Sequence, residues 1–433
     1  MATQMIDGPI PVGDAQRIES LDVLRGFALL GILLLNIVGF GLISSAYSNP
    51  PAGFTHPFDP LVWASIDLLA EGAMRGLFSL LFGAGVVLFT TGAGAKSAGL
   101  HYRRQAWLLA IGLVDAYILL WSGDILINYA LAGALLYWVR DVSAARLCVS
   151  AALLVVLMSS LHGFTQVGLR VSQQAYDEVA LIEDRSTVSA QRLEAAAGWE
   201  DFVADFVLSE QAQNDELASR RGGYASAFAW NVGKVNETLA FALPFFLFWD
   251  ALAMMLLGMA LYKTGILQGD RSLAFYRNLA LAGLLIGLMV NGYEVGQAYA
   301  AEFEFLSVFA QAQVTYHIGR IGMTLGYLGL ILYLLKTGVL MTLRRRLAAV
   351  GRLALTNYLL QSIVCLFLFT GAGFGWVGEL HRWALYPIVM VVWLMQLIVS
   401  PWWLARFRFG PLAWIWRGLT YGRWPALRHS AGR

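Results

Sequence analysis

Ten apolar stretches punctuate this 433-residue chain, at about residues 22–43, 66–90, 104–121, 124–139, 146–164, 238–262, 276–297, 312–335, 350–370 and 384–404. Roughly 20 mostly apolar residues are what a helix needs to cross a bilayer. In lipid, a helix also satisfies every backbone N–H and C=O within its own segment. The pattern predicts an all-α fold, a polytopic transmembrane helix bundle of about ten spans. Composition agrees. Hydrophobic residues make up 58% of the chain and charged residues only 13%, where soluble chains carry about 25% charged. The third and fourth stretches are separated only by Trp121-Ser122-Gly123, a tight hairpin.

Charge then orients the bundle. With the N-terminus in the cytoplasm, the inside segments collect Arg17, Lys96, Arg103, Arg104, Arg140, Arg146, Lys263, Arg271, Arg277, Lys336, Arg344, Arg345, Arg346, Arg352 and six arginines from Arg406 to Arg433. The short outside loops hold one cation, Arg382. Such an asymmetry predicts an N-in, C-in topology. The expected organisation is a cytoplasmic segment (1–21), five spans (22–164), an extracytoplasmic cap (165–235), five more spans (236–404) and a cytoplasmic interfacial tail (405–433). The cap is charged, with apolar Phe202, Phe206 and Leu208 at helical spacing, which suits amphipathic helices. In the tail, Trp402, Trp403, Trp414, Trp416 and Trp424 alternate with arginines, the pattern of an interfacial belt. The polar first twenty residues do not suit a cleaved signal, so the first span is expected to act as the signal itself.

Several function classes fall away. A net charge of +2 does not suit a nucleic-acid partner. Two cysteines, Cys148 and Cys365, both in apolar runs, offer neither a disulfide framework nor metal-ligand spacing. No phosphate loop, metalloprotease helix or serine elbow is present, and no metal is expected.

Polar residues inside the spans carry more information. A charge at the bilayer centre costs at least about 2.5–3.5 kcal/mol on insertion scales, so such groups face the bundle interior and often mark function. The first span carries Asp22, Arg25 and Asn36, and the second Asp67, Glu71 and Arg75. Asp115, Asp124, Asn128, Asp250, Asn291, Glu294, His317, Arg320, Asn357 and Gln361 follow in later spans. Asp22 and Arg25 are three residues apart and share a face. Asn36 lies three turns further along the same stripe, roughly 16 Å deeper. Glu71 and Arg75, four apart, read as an internal pair. Asn128 follows Asp124, Glu294 follows Asn291, Arg320 follows His317 and Gln361 follows Asn357 at the same helical spacings. His56, in the first outside loop, is one of the few bases on that face.

These residues sit in stretches that resemble a known family. Arg17-Ile-Glu-Ser-Leu-Asp22-Val-Leu-Arg25-Gly26, with Ala28, Gly31 and Asn36 after it, is similar to the opening of the YeiB family of bacterial inner-membrane proteins. So are Leu77-Phe-Ser-Leu-Leu-Phe-Gly-Ala-Gly85, Trp121-Ser-Gly-Asp124-Ile-Leu and Gly351-Arg-Leu-Ala-Leu-Thr-Asn357-Tyr-Leu-Leu-Gln361-Ser. Ser400-Pro401, Phe407-Arg408-Phe-Gly410-Pro411-Leu and Leu419-Thr-Tyr-Gly422 extend the likeness to the whole chain. The Leu-Asp-x-x-Arg-Gly helix groups that family with the transmembrane acyltransferases, including heparan-alpha-glucosaminide N-acetyltransferase and bacterial polysaccharide O-acetyltransferases. The resemblance implies a bacterial inner-membrane enzyme that takes an acyl group from cytoplasmic acyl-CoA, such as acetyl-CoA, and passes it to an acceptor at or across the membrane. It implies that Arg25 is the motif arginine. Asn36 stands where the O-acetyltransferases carry their catalytic histidine, and His56 is the nearest candidate for the histidine in the following loop of the heparan enzyme. The chain departs at Asp115-Ala116-Tyr117, where YeiB relatives usually have His-Ala-Tyr.

The sequence-based expectation is therefore an acyltransferase. Its catalytic candidates are Asn36, His56 and His317, and its donor-binding candidates are Asp22, Arg25 and Arg75. The bilayer and an acceptor are the partners, and a homodimer stays open. A small-molecule transporter, with Asp115, Asp124 and Glu294 relaying protons, is the main alternative, and a non-catalytic membrane scaffold the next.

Overall fold

The computed structural model describes residues 18–91 and 95–429. Most of the 1–21 segment, including Arg17, and the end of the tail lie outside the described residues. The described chain is all helix, with one isolated bridge between Phe407 and Arg428. In order it runs α1 (Glu19–Gly41), α2 (Asp59–Leu69), α3 (Ala73–Thr90), α4 (Ala98–Leu113), α5 (Leu126–Leu136), α6 (Ala144–Ala180), α7 (Ala190–Ala204), α8 (Glu210–Arg221) and α9 (Tyr224–Glu237). It continues with α10 (Phe248–Lys263), α11 (Leu273–Ala300), α12 (Phe305–Val308), α13 (Tyr316–Thr337), α14 (Met341–Arg352), α15 (Ala354–Phe369), α16 (Leu385–Leu404) and α17 (Pro411–Tyr421).

Among the described residues, seven helical segments are long and apolar enough to cross a membrane, or eight if α14 and α15, bent by 81°, count as one. The remaining two of the ten expected spans are shorter. α4 is 16 residues followed by a π-turn at Val114–Ile118, and α5 is 11 residues followed by a 3₁₀ turn. The expected boundary at residue 164 falls inside α6, which runs unbroken to Ala180. The boundary at 235 falls inside α9, which a π-helical segment, Thr238–Leu247, joins to α10.

Lipid offers little hydrophobic drive between helices, so close backbone approach does that work. A Cβ on Gly83 would lie 2.0 Å from the Met255 carbonyl oxygen, and one on Gly258 1.8 Å from that of Leu80, so α3 and α10 touch backbone to backbone. Gly283, Gly287, Gly322 and Gly326 do the same for α11 and α13. A Cβ on Gly26 would lie 2.0 Å from the Leu347 carbonyl oxygen and one on Gly351 1.9 Å from that of Asp22, so α14 packs directly against the start of α1.

The bundle has two distinct ends. At the basic end, Arg344 pairs with Glu19, the Lys263 ammonium donates to the Arg140 and Val142 carbonyls, and the Trp416 indole donates to the Arg104 carbonyl at 3.0 Å. At the cap end, α7 and the turn after it cover α12 and the turn after it through Trp199, Phe202, Phe206, Phe305 and Phe309, and the Gly378 amide donates to the Gly41 carbonyl at 2.8 Å.

Candidate functional site

α2 and α3 are one apolar run broken at Ala70–Gly72. Gly72 has φ +63°, a left-handed conformation that favours glycine. A Cβ there would also fall 2.5 Å from the Arg320 side chain and 2.8 Å from the Tyr316 hydroxyl. The break corrects the Glu71–Arg75 pair expected from helical spacing, because no continuous helix joins the two residues. Arg75 pairs instead with Asp250 of α10, Nε to Oδ2 at 3.5 Å, and its Nη2 donates to the Tyr316 hydroxyl at 2.9 Å. That hydroxyl in turn donates to Glu71 at 3.1 Å.

Asp250 is the centre of this network. Arg320 of α13, 1% exposed, donates to its Oδ1, and His317 Nδ1 lies 3.7 Å from the same oxygen. Arg75, Asp250 and Arg320 lie thirteen to seventeen residues from the basic ends of their helices, roughly 20–25 Å at 1.5 Å per residue. Beside them opens a cavity of about 170 Å³ lined by Asp67, Glu71, Arg75, Asp250, His317 and Arg382, with Tyr47, Trp63, His162 and Tyr386 among its aromatic walls. Both ring nitrogens of His317 are buried and make no hydrogen bond among the described residues. The His162 ring lies 4.8 Å from that of His317. A second cavity of about 20 Å³ lies between Asp67, Glu71, Asn291, Glu294, Tyr316 and Arg320.

The other expected residues fall elsewhere. Arg25 pairs with Asp22 at 3.0 Å near the basic end. Asn36 is half-buried on α1 and does not line the cavity, while Leu34, Leu35 and Val38 do. At about 100° per residue Leu34 and Val38 lie about 160° around the helix from Asn36 and Leu35 about 100°. His56 is half-exposed at the cap end, its ring 5.2 Å from His381 and 5.9 Å from Trp383, and it does not line the cavity. Asn291 turns to the Leu68 carbonyl at 3.1 Å and Glu294 to Thr315, so these neighbours do not pair with each other.

Asp124 and Asn128 also diverge. Asp124 Oδ2 accepts from the Ile127 amide at 2.8 Å and caps α5, while Asn128 donates to the Leu247 carbonyl at 2.8 Å. Asp115 is fully buried on the π-turn against Asp124 and Ser362. Asn357 and Gln361 join Gln396 and Ser400 in a buried network that holds α15 to α16. Sequence reasoning noted Asp250 and Asp67 only as polar residues in spans. It had no signal for Tyr316, His162, Arg382 or the aromatic walls, whose convergence depends on helix pairing.

Residues 261–423 match a family described as "Protein of unknown function (DUF418)". The chain is 32% identical over 408 residues to "Uncharacterized protein YeiB" of Escherichia coli strain K12, covering 94% of this chain and 96% of that protein. The chain belongs to the YeiB family. It is also 29% identical over 421 residues to "Uncharacterized protein YxaH" of Bacillus subtilis strain 168, covering 95% of this chain and 96% of that one. No solved structure matches the chain. Within this YeiB-family chain, Gly26 of the opening motif is a packing residue against α14. Asp22 and Arg25 of the same motif pair with each other at the basic end.

Proposed function

We propose that this protein is an acyl-CoA-dependent acyltransferase of the bacterial inner membrane, with its basic end in the cytoplasm and its reaction in the large cavity. The observation that carries the reading is His317. It is a buried imidazole with both nitrogens unbonded, on the wall of a cavity and beside the carboxylate of Asp250. Such a group suits general-base work, which needs a base within about 3 Å of the acceptor proton in a productive complex. Arg75, on the same wall, offers a cationic donor to the oxyanion that develops on the acyl carbonyl.

In the step, the acceptor oxygen or nitrogen forms a bond to the acyl carbon and the C–S bond of the thioester breaks. The acceptor proton passes to His317 and then to the departing CoA thiolate. Arg25 is the proposed contact for the donor's phosphates. Leu34 and Leu35, nine and ten residues further along α1, line the cavity on a different face of the helix from Arg25, roughly 14–15 Å further along its axis, so the donor would pass around α1 between the two. Relative to the expected catalytic set, this reading moves the base from His56 to His317 and gives Asn36 no part in the reaction.

Purified protein with labelled acetyl-CoA tests it by binding and by CoA release. His317→Ala is expected to lower turnover about 10²–10⁴-fold, His56→Ala to leave it unchanged, and Arg25→Ala to weaken acetyl-CoA binding. Full turnover in His317→Ala would remove it as the base. Absence of both binding and release with any acyl-CoA would favour the transport reading, which the gathering of Asp67, Glu71 and Glu294 around the second cavity supports.

Orientation has its own test. In a chain with Cys148 and Cys365 replaced, a cysteine introduced at Ala190 is expected to react with an impermeant thiol reagent in intact cells, and one at Arg345 to stay unlabelled. The opposite pattern would invert the topology.

A further inference from the structure

Trp63, Asp67 and Glu71 recur at four-residue spacing along α2 and the turn after it, and all three line the large cavity. Asp67 makes no hydrogen bond or ion pair among the described residues. The charges that act on it are Glu71, Glu294 and Arg382. Arg382 is turned toward backbone. It donates to the carbonyls of Ala46 at 2.7 Å and Pro50 at 3.4 Å, and it lies over the Phe54 ring. Arg75 and Arg320 ion-pair with Asp250, and Arg75 reaches Glu71 only through the Tyr316 hydroxyl. Asp67 and Glu71 therefore form an acidic stripe with no salt-bridging cation, in the wall of a cavity inside apolar helices, where charge without a partner is costly.

Two further features describe the occupant. The walls around the stripe carry Tyr47, Trp63, Tyr316 and Tyr386, and aromatic faces attract desolvated organic cations. Independently of the carboxylates, His317 is 2% exposed and reaches the same cavity with neither ring nitrogen bonded. It calls for a ligand that also bears a hydrogen-bonding group. Among the described residues, no three His, Cys, Asp or Glu side chains are grouped to hold a metal ion, so the stripe suits an organic cation better than a bare metal. The cavity, about 170 Å³, is close to the roughly 150 Å³ that accommodates benzene.

We propose that the cavity binds a small amino alcohol or related organic cation, its ammonium group between Asp67, Glu71 and the aromatic walls and its hydroxyl at His317. In acyl transfer, and resting on that reading, the hydroxyl is the acceptor group. Binding itself needs no acyl donor.

The test is calorimetric titration of the purified full-length protein with choline, ethanolamine and neopentylcarbinol, the uncharged carbon isostere of choline. At least one cation is expected to bind about tenfold or more tightly than the neutral alcohol. Asp67→Asn is expected to abolish that preference with an unchanged thermal midpoint. The comparison of choline with its isostere needs no variant, so a poorly folding substitution leaves it intact. Absence of cation binding, equal binding of the neutral alcohol, or a preference that survives Asp67→Asn would overturn the proposal. Cation binding without CoA release would sink acyl transfer alone, and CoA release without cation binding would sink this inference alone.

Discussion

Asp250→Ala is expected to destabilise the protein by about 3–5 kcal/mol, the range for removing one partner of a buried ion pair. Asp250 is the shared counter-ion of Arg75 and Arg320, and Arg320 is 1% exposed. Alanine would leave two guanidinium groups facing each other in the interior with only the Tyr316 hydroxyl and its neighbours to answer them. The double variant Asp250→Ala/Arg320→Met removes one orphaned charge and fills its volume. It should recover part of the loss, a non-additivity that a double-mutant cycle reads directly. The measurement is the thermal midpoint in detergent, with monodispersity as the fold check. A midpoint for Asp250→Ala within a degree of the parent would mean that the network does not hold α3, α10 and α13 together.

Arg220→Ala is expected to cost a similar amount, at the opposite end of the structural logic. Arg220 on α8 is 6% exposed, and its two terminal nitrogens donate to the carbonyls of Gly39, Phe40 and Leu42 and to Glu216. The last carbonyls of a helix have no partner within it, and its C-terminus favours a cation. Arg220 meets both demands for α1 and pins the cap to the bundle. Glu216 completes the latch by accepting from the Ser44 amide and hydroxyl, each at 2.8 Å. Truncating the arginine strands a buried carboxylate and several carbonyls together, for about 3–5 kcal/mol. Arg220→Lys should recover only part, since an ammonium lacks the planar fork that spans these acceptors. The surface pair of Arg192 with Glu178, more than half exposed on both sides, provides the contrast. Its loss is expected to cost less than about 1 kcal/mol. Thermal midpoints and protease cleavage within residues 165–235 report the effect, and equal behaviour of Arg220→Ala and Arg192→Ala would show that α8 is not a latch.

Asp250 and Arg220 were unequally legible in the sequence. Asp250 stood out in the sequence as an acid in an apolar run, whereas Arg220 read only as one of several charges in a solvated segment. A buried latch and a surface salt bridge look alike at the level of sequence, because burial depends on what covers the side chain.

Membrane helices, the density of polar groups inside them and the pairing of Asp22 with Arg25 follow from local properties: hydropathy over about 20 residues and three-residue spacing on one helix. Those the amino-acid order determined alone. Helical spacing misled where the helix was interrupted, since Gly72 breaks the run between Glu71 and Arg75, so that Arg75 ion-pairs with Asp250 and meets Glu71 only through the shared Tyr316 hydroxyl. It also missed α6, whose apolar start continues without a stop signal into a polar half. The candidate site belongs to tertiary structure. His317, Asp250, Arg75 and Asp67 come from four helical segments, separated along the chain by up to 250 residues, and no periodicity links them. They meet because Gly83 and Gly258 let α3 and α10 approach to backbone contact and Gly72 and Gly76 leave room for Arg320 and Thr324 of α13, and buried charges then accept whichever counter-ion that packing presents.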